Sequence, residues 1–375
     1  MIRLGLIPKG VFEAVRKCLF LYPATLPEKH FAGTPPNGHI KENMFRLPAI
    51  AFLFFVIISS PFAAAQAINL DSTIREAGAR ANTSRVSDLR RWKIGNYNVE
   101  AQDKKTYVTI NGTRVYTGRA LSCAHGKIFI QKRDWEKHLA PIVAPSKKNV
   151  PAAKRIVIDA GHGGKDPGKV EGKMREKSYT LDIAKRLQRI LTKRGYTVIL
   201  VRDRDVFLEL EARSKKANAA KADLFVSIHF NAAAAKSARG VETWMLTPVG
   251  EVSFGYKKTK VKADVGNRFD AWNLLLAYKI QSALSSKIDA EDRGVKCANF
   301  SVLQGLKCPG ILVECGFLTN ASEAALIART NRRELIAQGI ADGIFAYAGT
   351  LNALKGNKPV ASNSGRRKNS LLRRR

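Results

Sequence analysis

Between Lys154 and Arg375 the chain has only two histidines, His162 and His229, and each closes an apolar run that reads as a β-strand. His162 stands in Asp159-Ala160-Gly161-His162-Gly163-Gly164, directly after the run that starts at Arg155, and His229 ends the run from Asp223. If these strands are parallel neighbours, their carboxyl ends aim both imidazoles into one crevice, which is where sites form in open α/β sheets. A single histidine is more often a core or surface residue, but two at equivalent strand ends meet the requirement for a shared metal. Imidazole nitrogen suits zinc, and a catalytic zinc takes three protein ligands and keeps an open position. The third ligand is expected to be a carboxylate near the His162 loop. Glu176, at the entrance to a helix, fits that place, although a carboxylate there also complements the helix dipole. Glu171, deeper in the loop from Asp166 to Lys173, is the competing candidate.

Activating water needs a further group, and Pro309-Gly310-Ile311-Leu312-Val313-Glu314-Cys315-Gly316-Phe317 supplies one. A carboxylate closing an otherwise uncharged buried strand is costly unless paired or working. Glu314 is therefore the candidate proton carrier. Strand alternation turns Cys315 to the opposite face, which weakens a Cys–His nucleophile. Asn231 and Arg293 are the candidate substrate-binding residues. The glycines around His162 match neither G-x-G-x-x-G nor G-x-x-x-x-G-K-[ST], so a phosphate cradle is not supported. No His-Glu-x-x-His occurs, which excludes the usual helix-borne zinc protease arrangement.

The elements that must position these residues alternate from Lys154 on. Strands are expected at Arg155–Ala160, Tyr196–Val201, Asp223–His229, Gly240–Leu246 and Gly310–Cys315. Helices are expected at Glu176–Arg194, Leu208–Ala222, Trp272–Ile288, Ser322–Arg329 and Arg333–Tyr347. This predicts an α/β fold: a mostly parallel twisted sheet with helices on both faces, spanning 154–349. A small β-rich accessory module is expected over 85–143, with Asn111-Gly112 as a two-residue hairpin turn, joined by a linker at 144–153. The basic, Gly/Ser/Asn-rich tail 352–375 reads as disordered and suited to anionic wall polymer or lipid.

With 64 Lys+Arg against 31 Asp+Glu, the 375-residue chain carries a formal charge of +33. At 45% hydrophobic and 25% charged residues it is too apolar for wholesale disorder. Residues 44–67 hold one Arg, an apolar run of about a dozen residues and Ala65-Gln66-Ala67, the layout of a secretory signal peptide and too short for a spanning helix. Translation is then expected to start at Met44, with 1–43 upstream of the protein proper, and the mature chain to begin near Ile68. Residues 1–67 carry seven Lys/Arg and three Asp/Glu, so the remainder still holds +29. An exported basic protein meets wall polymers and anionic lipid rather than nucleic acid. Cys123, Cys297, Cys308 and Cys315 remain in the mature chain without a C-x-x-C, and their pairing is open between disulfides and free buried thiols.

IVIDAGHGGKDPG, REKSYTLDIAKRLQRILTKRGY, DLFVSIHFNA, RGVETW and PGILVECGFLTNASEAALI, in this order, resemble the zinc-dependent N-acetylmuramoyl-L-alanine amidases of bacterial cell walls. The resemblance covers roughly Lys154 to Ala348. It implies His162, Glu176 and His229 as zinc ligands, Glu314 as the catalytic carboxylate, Zn2+ as cofactor and peptidoglycan as substrate, in a periplasmic or wall-associated monomer. VTINGTRVY and GKIFIQKRDW resemble the copper-amine-oxidase N-terminal-like modules that precede some exported wall enzymes. Some amidases of the family carry an autoinhibitory helix after the fourth strand. Here Pro248 to Asn267 contains Gly250, Gly255, Gly266 and several Lys, a poor helix, so dependence on an activator protein stays open. The rival readings are a zinc peptidase acting on stem peptides and a non-catalytic wall-binding protein on the same fold.

Overall fold

The computed structural model describes residues 66–79, 88–256 and 260–357. The expected signal segment up to residue 65 and the tail from 358 lie outside the described residues. The first half is built of short strands: β1 (Ala67–Asn69), helix α1 (Leu70–Glu76), β2 (Leu89–Ile94), β3 (Tyr97–Gln102), β4 (Tyr107–Ile110), β5 (Thr113–Tyr116), β6 (Ser122–Ala124) and β7 (Lys127–Gln131). Asn111 and Gly112 both have positive φ, 46° and 82°, as the tight β4–β5 hairpin requires. From β8 (Arg155–Ala160) the pattern changes to strand and helix in turn. β9 (Val170–Glu171), β10 (Met174–Arg175), α2 (Glu176–Lys193), β11 (Thr197–Leu200), α3 (Leu210–Ala219), β12 (Leu224–Asn231) and β13 (Val241–Leu246) follow. The chain then forms α4 (Asp270–Lys287), β14 (Asp292–Ala298), β15 (Gly310–Phe317), α5 (Ala321–Ala328) and α6 (Thr330–Leu354).

One ten-stranded sheet runs β11-β8-β12-β15-β13-β14-β5-β4-β3-β2. β11, β8, β12 and β15 are parallel, β13 runs antiparallel to β15, and β14 is parallel to β13. The β-rich module is not detached from this sheet: β5 pairs with β14 at Val115 and Val295, and the meander β5 to β2 extends it as antiparallel strands. The sheet is therefore mixed as a whole and mostly parallel only around the histidines.

Strand alternation splits the core in two. Ile156 and Ile158 face a cluster with Ile183 and Leu187 of α2 and Ile340 and Ile344 of α6. Val157 faces the other way, with Phe225, Trp244, Leu312 and Ala217 of α3. Helices thus cover both faces, as the apolar runs demanded. α6 crosses α4 closely, since a Cβ on Gly343 would stand 2.5 Å from the Ile280 Cα. α6 also runs to Leu354, past the expected end of the domain at 349, because Leu351 still buries against the core. Ala67–Asn69, at the expected cleavage boundary, pairs with β7, and Asn69 caps α1 through its side chain. Between Pro248 and Asn267 the described residues form turns and the isolated bridge Val252–Lys260, with a single 3-10 turn starting at Val265 and running to Phe269. The four described cysteines are free. Among the described residues no helix is long and apolar enough to cross a membrane.

Candidate metal centre

The end of β8 is held by two buried arginines. Arg202 donates from Nε to the Ala160 carbonyl (2.8 Å) and from Nη2 to that of Gly161 (2.8 Å). Arg213 pairs with Asp159 (2.8 Å) and donates to the carbonyls of Ala160 (3.0 Å) and His162 (2.9 Å). Asp159 also accepts from the Ser227 hydroxyl on β12 (2.8 Å), tying the two strands that end in the histidines. These contacts fix His162 in a left-handed conformation, φ 62°, which few residues adopt unaided. Removing one partner of a buried ion pair strands the other charge. Arg213→Met is thus expected to destabilise the protein by about 3–5 kcal/mol, read by denaturant unfolding, and wild-type stability would show that the pair contributes nothing.

His162, Glu176 and His229 come together with their ligand atoms facing one another. Glu176, the first residue of α2 and 3% exposed, sets one oxygen 3.1 Å from His162 Nε2 and 3.1 Å from His229 Nδ1. Ligands about 2.0–2.1 Å from a tetrahedral zinc stand roughly 3.3 Å apart, so these spacings are close to the edges of such a site. Two glycines make the room. A Cβ on Gly161 would lie 2.3 Å from the His229 ring, and one on Gly168 would lie 2.6 Å from both Glu176 Oε2 and the His162 ring. The register of β12 against β15 shifts after His229, and the Phe230 N–H there donates to Glu176 Oε1 (2.9 Å). Lys169 N–H donates to the other oxygen (2.8 Å). Asp166 lies 2.7 Å from His162 Nδ1 and orients the ring, the usual arrangement behind a metal-binding imidazole.

The electrostatics agree with a cation site. Burial disfavours a charged His162, yet the Glu176 charge and hydrogen bonds with Asp166 and Glu176 outweigh it and raise its pKa to about 10. Burial also disfavours ionised Glu176, but the two histidines hold it well below the usual carboxylate range. A cluster that retains an extra proton at neutral pH is arranged around positive charge, and two imidazoles with one carboxylate fit zinc. Glu171 stands apart, paired with Lys169 (3.3 Å) and Lys236 (3.4 Å) on the surface.

Glu314 is register partner to His229 on one side and to Glu242 of β13 on the other. Its Oε2 is buried without a hydrogen-bond partner. Burial, then the charges of Glu176 and Glu242, push its carboxyl well above the usual range, against His162 and Lys296. Cys315 turns to the other face, in the core, its thiol raised by burial and the neighbouring Glu314 charge. A second buried carboxylate, Glu242 of the RGVETW segment, carries no local mark of its role in the sequence. It is 3% exposed and gathers Lys296 (2.5 Å), Arg293 (3.0 Å) and Asn231 (2.6 Å). Asn231 accepts at its other end from the Ala232 N–H (2.9 Å), so its amide is engaged on both sides. Arg293 stays partly exposed over the Phe317 ring, 4.8 Å from its centroid.

Residues 156–346, half of the chain, match the model of the family described as N-acetylmuramoyl-L-alanine amidase. The chain belongs to that amidase family. It is 38% identical over 255 residues to the N-acetylmuramoyl-L-alanine amidase LytC of Bacillus subtilis, covering 68% of this chain and 48% of LytC. It is 37% identical over 219 residues to AmiC of Neisseria meningitidis, covering 52% of this chain and 53% of AmiC. Among solved structures, the catalytic domain of CwlV from Bacillus (Paenibacillus) polymyxa is 34% identical, with a TM-score of 0.44 over 52% of this chain and 97% of that one. The chain thus spans about half the length of these curated amidases, and the match lies on the part that carries the histidines and Glu314.

Proposed function

We propose that the protein is an exported zinc amidase that hydrolyses the bond between the lactyl group of N-acetylmuramic acid and L-alanine in peptidoglycan. The observation that carries this reading is the convergence of His162, Glu176 and His229 beside Glu314, whose carboxylate oxygen is buried and unpartnered. His162, Glu176 and His229 would hold the metal, which supplies Lewis acidity to a water and to an amide carbonyl. Glu314 carries the proton. Its carboxylate takes it from water as oxygen bonds to the carbonyl carbon, and returns it to nitrogen as the carbon–nitrogen bond breaks. The products are a lactyl carboxylate and a free α-amine on L-alanine. Asp166 holds the His162 ring in place, and Glu242 steadies Arg293, to which we assign a carboxylate of the stem peptide.

The charge of +29 left after residues 1–67 suits an enzyme that works on a polymer bearing carboxylates, and the basic tail suits anionic wall polymer or lipid. Digestion of purified muropeptides followed by mass spectrometry tests the reading. Intact stem peptides with L-alanine at their amino end are expected. A new amine inside the stem would identify a peptidase instead, and no cleavage would leave a wall-binding protein. Chelation is expected to abolish the hydrolysis and added zinc to restore it, whereas full activity in zinc-free protein would refute the metal's part.

A further inference from the structure

A second cluster of ligand-bearing side chains lies in the β-rich half, built from residues the catalytic chemistry does not use. Asp134 ends the helical turn Lys132–Asp134, and His138 lies four residues on, in the π-helical turn Trp135–Leu139. Side chains four apart on a helix share a face. Glu251 reaches them from the loop after β13, where its N–H closes a turn on the Pro248 carbonyl (3.0 Å). Each is nearly shut off from solvent, at 4%, 3% and 8% exposure. One ligand atom from each lies within 4.8 Å of the other two.

The division of labour among their atoms singles out one oxygen of each carboxylate. Asp134 Oδ1 accepts from the Gly118 N–H (3.1 Å), at a glycine whose Cβ would press to 2.9 Å from that same oxygen. Asp134 Oδ2 is buried and has no partner. Glu251 Oε1 is met by Arg133 Nε (3.3 Å), which leaves Oε2 facing His138 Nε2 at 2.7 Å. Asp134 Oδ2 is thus the atom left without a partner, beside the buried pair of His138 Nε2 and Glu251 Oε2. A buried carboxylate oxygen without a donor is costly, and the half-exposed Arg133 spends its donors on Glu251 and the Val249 carbonyl. A divalent cation would satisfy all three atoms at once.

We propose that Asp134, His138 and Glu251 form a second metal site that takes zinc, structural rather than catalytic. Its burial gives a substrate no way in, and three protein ligands leave the fourth position to a water. Its effect is to cross-link the β-rich half to the loop between β13 and α4, joining residues more than a hundred apart in sequence. Phe254 of that loop already packs on Tyr116 of β5 at 4.9 Å, and the metal would lock this junction in place.

Zinc counting on the full chain, equilibrated with zinc chloride and freed of loose metal, decides the matter. The wild type is expected to hold two zinc ions, and Asp134→Asn, His138→Ala and Glu176→Ala one each. Asp134→Asn keeps the volume and the Gly118 contact, so it should fold if His138→Ala does not. Chelation should lower the melting temperature of Glu176→Ala, and this shift should vanish once Asp134→Asn is added. Zinc content unchanged in Asp134→Asn overturns the site. A single ion that survives in Asp134→Asn and is lost in Glu176→Ala overturns it while leaving the amidase centre intact. A single ion with the opposite behaviour upholds the second site and refutes the first.

Discussion

Glu314→Gln is expected to leave the metal in place and lower amide hydrolysis by a factor on the order of 10²–10⁴, the usual worth of a positioned acid–base group. The exchange keeps the shape of the side chain beside His229 and Glu242 and removes only its ability to take a proton. Folding should not suffer. The native carboxylate is buried and repelled by Glu176 and Glu242, so a neutral amide relieves a cost rather than adding one. Turnover of purified muropeptides and zinc content per chain are the two measurements. Near-normal turnover would remove Glu314 from the chemistry, and loss of zinc together with turnover would place it on the metal.

The parts of this architecture that were legible in the sequence are those whose burial leaves a local mark. The runs Arg155–Ala160, Asp223–His229 and Gly310–Cys315 are buried on both faces, so they read as continuous apolar strands and appear as β8, β12 and β15. Their shared crevice follows from β8 and β15 flanking β12. β14 was not legible. Asp292, Arg293 and Lys296 within it look like surface residues, and Lys296 is 6% exposed because the buried Glu242 on β13 and the rings of Tyr116, Trp244 and Phe254 receive it. Such a strand is hidden because its compensation lies across the sheet rather than along the chain. The same reason hid Asp166, whose role appears only once the His162 loop has folded back. In β2 the arginines of Leu89-Arg90-Arg91-Trp92 mask the alternation that buries Trp92 and Ile94. The union of meander and central sheet rests on a single β5–β14 pairing that local sequence does not encode.

Glu176→Ala should fail differently from Glu314→Gln, because the roles proposed for the two carboxylates differ. One oxygen of Glu176 faces both imidazoles at 3.1 Å, so its removal leaves two neutral nitrogens and no charge to retain a dication. Losing an outer partner of a ligand costs about 10–100-fold in metal affinity. Asp166→Ala, which unmoors His162 without touching the metal-facing nitrogen, is expected in that range. Glu176→Ala should lie beyond it, with zinc content lower by one ion per chain and hydrolysis lost under ordinary zinc concentrations. Excess zinc should recover part of the turnover in both variants, since Glu314 remains to move the proton, whereas no excess should rescue Glu314→Gln. Part of the Glu176→Ala defect will be structural, because the N–H groups of Phe230 and Lys169 lose their acceptor. Glu176→Gln retains an oxygen for one of those donors and so separates the two effects: stability should return while zinc affinity stays low. Undiminished zinc in Glu176→Ala would mean that the ligand lies elsewhere, with Glu171 next in line despite its distance from the histidines in this fold.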